Sequence, residues 1–82
     1  MVLKELLERS EYTLVQGSED VEISTLVYDS RKIEKDSVFV CISGAAFDGH
    51  KFVAQAAELG AVAVVVEKDV EVPENLTVIK FD

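Results

Sequence analysis

The run Asp29-Ser30-Arg31 sets a carboxylate, a hydroxyl and a guanidinium side by side. The Ser30 hydroxyl can donate to or accept from a nucleobase edge or a phosphate, and it can equally bond its own backbone as a turn serine. Asp29 and Arg31 can brace the connection as a local ion pair, worth under ~1 kcal/mol if exposed, or Arg31 can clamp a phosphate. A second segment of interest is the loop Ser43-Gly44-Ala45-Ala46-Phe47-Asp48-Gly49-His50. Gly44 would let a ligand approach the backbone. The amides of Ala45, Ala46 and Phe47 can read the polar edge of a ring, and Phe47 can cover its face. A plain strand-to-helix turn favours glycine at that position too. His50, at a helix start, reads as a hydrogen-bonded structural residue before it reads as a ligand contact.

None of this is catalytic equipment. The chain has one His and one Cys, and they are not set up as a pair. The sequence holds no metal-ligand cluster and no Gly-x-x-x-x-Gly-Lys-Ser/Thr phosphate loop. Gly44 to Gly49 lacks the central glycine of a dinucleotide fingerprint. The residues point to a binding domain with no catalytic and no metal-ligating side chain.

The elements that would position these loops follow from periodicity. Val2, Leu3, Leu6 and Leu7 recur at helical spacing. Tyr12 to Gln16 reads as a short strand stopped by the polar turn Gly17-Ser18-Glu19-Asp20. Val21 to Tyr28 alternates, which predicts a strand with Val21, Ile23, Thr25 and Val27 on its buried face. Val38 to Ile42 is continuously apolar, as in a strand covered on both faces. Asp48 is the expected N-cap of a helix starting at Gly49 or His50, with Phe52, Val53, Ala56, Ala57 and Leu59 buried and Gly60 as its C′ residue. Ala61 to Val66 and Leu76 to Phe81 complete the strands. The order is α-β-β-β-α-β-β with one clear parallel crossover, an α/β fold with a small mixed β-sheet and flanking helices. Units of this kind present ligands at the strand-to-helix loop.

The totals set outer limits. Eighty-two residues make one domain, expected to span 1–82, and a chain of that size buries only roughly 60–65% of its unfolded surface. Apolar residues are 49% of the chain, enough for one packed core. Sixteen acidic and eight basic residues give a net charge of −8, which disfavours nucleic acid and anionic membrane as partners. It does not forbid a small phosphorylated ligand, which backbone amides and one or two local cations can hold. Cys41 sits in an apolar run and reads as a small buried hydrophobe. The N-terminus is charged almost at once, unlike a signal peptide, and the longest apolar run falls far short of the ~20 residues that span a bilayer. A cytoplasmic protein is expected.

Together, Tyr28-Asp29-Ser30-Arg31-Lys32-Ile33, Val38-Phe39-Val40, Gly44, Phe47-Asp48-Gly49-His50, Phe52 and Gly60 to Glu67 closely resemble the N-terminal domain of the Mur ligases. These are the ATP-dependent amide-forming ligases that build the peptidoglycan stem peptide. The resemblance runs from the Leu-rich first helix to Lys80 and is specific in combination, though each motif is weak alone. It is nearest the third-residue-adding (MurE) type, which joins meso-diaminopimelate or L-lysine to UDP-N-acetylmuramoyl-L-alanyl-D-glutamate. The D-alanyl-D-alanine-adding (MurF) type is the runner-up, and a non-catalytic binding or regulatory module of the same fold is the competing class.

In such ligases the first domain holds the UDP part of the substrate. The resemblance implies that ATP and Mg2+ belong to a central domain, that the incoming amino acid belongs to a C-terminal domain, and that this chain alone is inactive and binds no cofactor. Carried over position by position, the UDP contacts would be Tyr28, Ser30, Ala45, Ala46 and Phe47, with Asp29 and Arg31 bracing the motif or touching phosphate. One departure stands out. The family commonly has Gly-Asp before the apolar strand, whereas this chain has Asp36-Ser37, so a turn must form there without glycine.

Overall fold

Runs of Val and Ile with polar breaks between them favour strands over helices, because β-branched side chains lose little freedom on a pleated surface. The computed structural model describes residues 2–8, 11–41, 49–68, 70 and 72–81, with the side chains of Ser30 and His50 outside that description. It contains helix α1 (Leu3–Leu7), strands β1 (Tyr12–Gln16), β2 (Leu26–Val27) and β3 (Val38–Val40), helix α2 (Val53–Glu58), and strands β4 (Ala63–Val66) and β5 (Thr77–Phe81). Short 3-10 turns cover Ser30–Lys32 and Gly49–Phe52.

The five strands form one sheet in the order β1-β5-β4-β3-β2. β2, β3, β4 and β5 run parallel, and β1 closes the far edge antiparallel to β5. The mixed α/β sheet read from the sequence is therefore present, with three parallel pairings where the sequence made one crossover clear.

Alternation along the strands divides the core in two. Phe39, Val64, Val66 and Val78 face α2, where Val53 and Ala56 are buried and Ile33, Val70 and Val72 add cover. Val38, Ala63, Val65 and Ile79 face Leu3 and Leu7 of α1. Phe39 is fully buried, which favours folding by roughly 2–3 kcal/mol. α1 is too short to stand alone. Its first amides are satisfied by tertiary contacts instead, Leu3 N–H donating to the Val21 carbonyl (2.9 Å) and Lys4 N–H to that of Glu19 (2.7 Å).

Several expectations change. The strand read over Val21 to Tyr28 is paired as strand only at Leu26–Val27. Upstream, Glu22 makes an isolated bridge to Val2, and Ser24 donates its N–H to Asp36 and its Oγ to the Lys35 carbonyl. The segment is thus shared between two neighbours, and Thr25, expected to be buried, is exposed. Leu59 is 46% exposed rather than buried: it is the C-cap of α2, keeps the helical conformation with its N–H donating to the Gln55 carbonyl at 3.0 Å, and at helical spacing falls at the edge of the stripe formed by Val53 and Ala56. Gly60 does take the positive φ of a C′ residue, at 112°. The turn without glycine forms through Asp36 itself, in the left-handed region at φ 65°. Its N–H donates to the Gly60 carbonyl at 2.8 Å, tying the turn to the end of α2. Cys41 is buried and in no disulfide.

Candidate functional site

In open α/β sheets, ligand crevices form beyond the carboxyl ends of parallel strands. β2 and β3 are neighbours, with Leu26 beside Val38 and Val27 beside Phe39. The Tyr28-Asp29-Ser30-Arg31 segment leaves the carboxyl end of β2, and Cys41 leaves that of β3. Tyr28 and Cys41, the residues that follow these two neighbouring parallel strands, thus lie on one rim of the sheet.

At the end of β2 the chain turns through the 3-10 segment Ser30–Lys32, with Asp29 as its N-cap. The Asp29 carboxylate accepts the Arg31 backbone N–H at 3.0 Å, Arg31 Nε–H at 3.1 Å and Arg31 Nη2–H at 2.9 Å. Lys32 N–H donates to the Asp29 carbonyl at 2.9 Å. The Arg31 side chain, then its backbone amide, then the charges of Arg31 and Lys32 hold the Asp29 carboxyl down at about 2. The same pairing raises the Arg31 pKa. Arg31 is nevertheless 86% exposed, so its fork keeps an open side that an anion can reach.

A cleft of about 330 Å³ lies against the outer edge of β2, lined by Thr25, Leu26, Val27, Tyr28, Asp29, Lys32 and Glu34. That is at the small end for ligand sites, with room for a ring rather than a whole nucleotide-sugar. Tyr28 is 64% exposed and offers a flat apolar wall with a polar tip. Lys32 supplies a cation in a chain that is otherwise strongly acidic.

Of the residues expected at the site, Tyr28 and Asp29 line this cleft, and Arg31 is bound to Asp29 from outside it. The Ser30 backbone sits in the 3-10 turn between them, and its side chain lies outside the description. Ala45, Ala46 and Phe47 fall within 42–48, outside the described residues, as does the expected cap Asp48. His50 lies in the second 3-10 turn. Sequence reasoning gave no role to Thr25, Lys32 and Glu34. Only Lys32 carried a signal, as a second cation directly after Arg31. No group of three or more His, Cys, Asp or Glu able to hold a metal ion occurs among the described residues, and no described helix is long and apolar enough to cross a membrane.

The family model described as "Mur ligase family, catalytic domain" matches residues 22–81. The chain is 41% identical over 80 residues to a UDP-N-acetylmuramoyl-L-alanyl-D-glutamate--2,6-diaminopimelate ligase of Clostridium perfringens, covering 98% of this chain and 16% of the relative. A ligase of the same name from Listeria monocytogenes is 46% identical over 72 residues, covering 88% of this chain and 15% of the relative. Among solved structures, MurF from Acinetobacter baumannii superposes with a TM-score of 0.74 over 98% of this chain and 17% of that one. Its 24% identity speaks to fold alone. The MurF ligase of Thermotoga maritima in complex with ADP gives a TM-score of 0.57 at 31% identity, over 63% of this chain and 12% of that one. The chain therefore spans about a sixth of the length of the curated relatives it matches. With residues 22–81 matched by the family model and 41% identity sustained over nearly its whole length, this chain belongs to the Mur ligase family.

Proposed function

We infer that this chain is the first domain of an ATP-dependent ligase that adds the third amino acid of the peptidoglycan stem peptide, and that it holds the UDP end of UDP-N-acetylmuramoyl-L-alanyl-D-glutamate. The observation that carries the reading is the identity of 41–46% to ligases named for that substrate and for 2,6-diaminopimelate. The rim formed by the exits of β2 and β3 fits it. There Tyr28 and Ser30 would meet the uridine end, with the loop backbone at Ala45, Ala46 and Phe47 closing over it. Asp29 fixes the turn, and Arg31 offers its open side to a phosphate.

ATP and Mg2+ would be held by residues outside this chain, which has no phosphate loop. The central and C-terminal domains of the same protein are the partners, and the cytoplasm is where a soluble nucleotide-sugar would be met. The domain's contribution is binding and orientation, which fixes the substrate carboxylate for chemistry elsewhere.

The test is a ligase assay on the protein extended to the length of its relatives. ATP-dependent joining of diaminopimelate or L-lysine to the UDP-linked dipeptide is expected, and its absence would overturn the reading. Ser30→Ala should raise the substrate KM about tenfold, the loss of one hydrogen bond to a charged group, while kcat holds. An unchanged KM would remove Ser30 from the site.

A further inference from the structure

Two cations follow Ser30, and the fold uses them differently. Arg31 gives its Nε–H and Nη2–H to the Asp29 carboxylate and does not line the cleft. Lys32 does line it, and the Lys32 ammonium has no partner among the described residues. The Lys32 backbone is held on both sides. Its N–H donates to the Asp29 carbonyl at 2.9 Å, and the next side chain, Ile33, packs against the α2-side core. The flexible stem therefore starts from a fixed point, and only the side chain is left to order when an anion arrives. Glu34 lines the same cleft past Ile33, on the return to β3, and its carboxylate also has no partner among the described residues. The cleft is thus positive at the turn beyond β2 and negative back along the strand edge.

We propose that Lys32 is the phosphate-reading residue of the cleft. Its ammonium pairs with a phosphate of the UDP group, and Glu34 keeps that anionic end from lying back along β2, so the pair fixes which way round the ligand sits. The proposal deepens the functional reading above and rests on it. A nucleoside diphosphate carries its negative charge at one end, so a site with a cation at one end and a carboxylate at the other favours one orientation. The net charge of −8 gives the local cation added weight, because the summed field of the chain repels the same ligand.

The test is calorimetric titration of UDP into the intact ligase, beside the KM of the UDP-linked dipeptide. Lys32→Met keeps the stem and removes the charge. It should weaken UDP binding and raise KM about tenfold each, the loss of one charge-assisted hydrogen bond. Lys32→Arg should bring both back to within about threefold of wild type, since the charge returns on a stem of different shape. Glu34→Gln should bind UDP about twofold more tightly, the relief of one screened like-charge contact. Unchanged UDP affinity in Lys32→Met would overturn the proposal. So would a Lys32→Arg variant no better than Lys32→Met, because charge would then not be what is read. A raised KM at unchanged UDP affinity would assign Lys32 to a carboxylate elsewhere on the substrate and overturn it too. Weaker UDP binding in Glu34→Gln would make Glu34 a ligand contact and overturn the orientation. A ligase that joins its substrate with Lys32→Met indistinguishable from wild type would refute the role of Lys32 alone. One that binds UDP through Lys32 but joins nothing would refute the functional reading alone.

Discussion

Asp29 takes three N–H donors from a single residue, Arg31, at 2.9–3.1 Å, and the carboxyl is held down at about 2 as a result. The folded value lies below the ordinary 3.8, so the pairing stabilises the fold fully above about pH 4 and that contribution is lost as pH falls through about 2. Carbon-detected NMR titration should place the Asp29 midpoint near 2. In Arg31→Ala it should return toward 3.8, and in wild type added salt should raise it, because the pair is exposed to screening. The same variant should raise the substrate KM of the intact ligase by a few-fold to about tenfold with little change in kcat, since the turn loses its brace and the site a cation.

Gly17 is required by Thr77. At φ 83° it occupies a region that L side chains avoid, and an added Cβ would lie 2.7 Å from the Thr77 Cα. The contact is held by Ser18 N–H donating to Thr77 Oγ1 at 3.2 Å, with that hydroxyl donating back to the Ser18 carbonyl at 3.3 Å. Gly17→Ala should therefore destabilise by about 2 kcal/mol or more, lowering Tm by roughly 10 °C in a domain of this size. A thermal melt checks it, and a shift under about 3 °C would mean that β1 and β5 can separate locally without loss.

The sequence showed the sheet's centre more plainly than its edge. Ala61 to Val66 is apolar throughout because β4 is covered on both faces, and Gly60 marks the turn into it. Val21 to Tyr28 alternates just as well, but the alternation serves two partners, Val2 at one end and β3 at the other. Periodicity reports burial and not the neighbour that provides it. At the site, Asp29 and Arg31 are adjacent in sequence and their pairing is local, so it could be weighed in advance. The cleft was not foreseeable, because Lys32 and Glu34 reach it only through the path of the crossover back past β2.

Asp36 holds a left-handed φ of 65°, and in doing so brings its N–H to the Gly60 carbonyl. An aspartate tolerates that region better than most residues but still carries strain of order 1 kcal/mol. Part of the gain from glycine is offset by its freer unfolded chain. Asp36→Gly should stabilise by about 0.5 kcal/mol net, read as a higher urea midpoint at unchanged slope. A lower midpoint would show that the Asp36 side chain contributes more than its backbone strain removes.

Ser37, the next residue, is fully buried, and its Oγ has no hydrogen-bond partner among the described residues. Ser24, which meets the same turn, is exposed and spends its Oγ on the Lys35 carbonyl at 2.9 Å. The two serines should respond in opposite directions to the same change. Ser24→Ala removes a made bond and should cost about 0.5 kcal/mol. Ser37→Ala removes a desolvated hydroxyl that makes none, leaves the main-chain bond of Val62 N–H to the Ser37 carbonyl at 2.9 Å untouched, and should be neutral or stabilising by up to about 1 kcal/mol. Equilibrium urea unfolding of the two variants decides it. A loss above about 1 kcal/mol in Ser37→Ala would mean that a bound water or a residue outside the described set satisfies the hydroxyl, and that the turn before β3 depends on it.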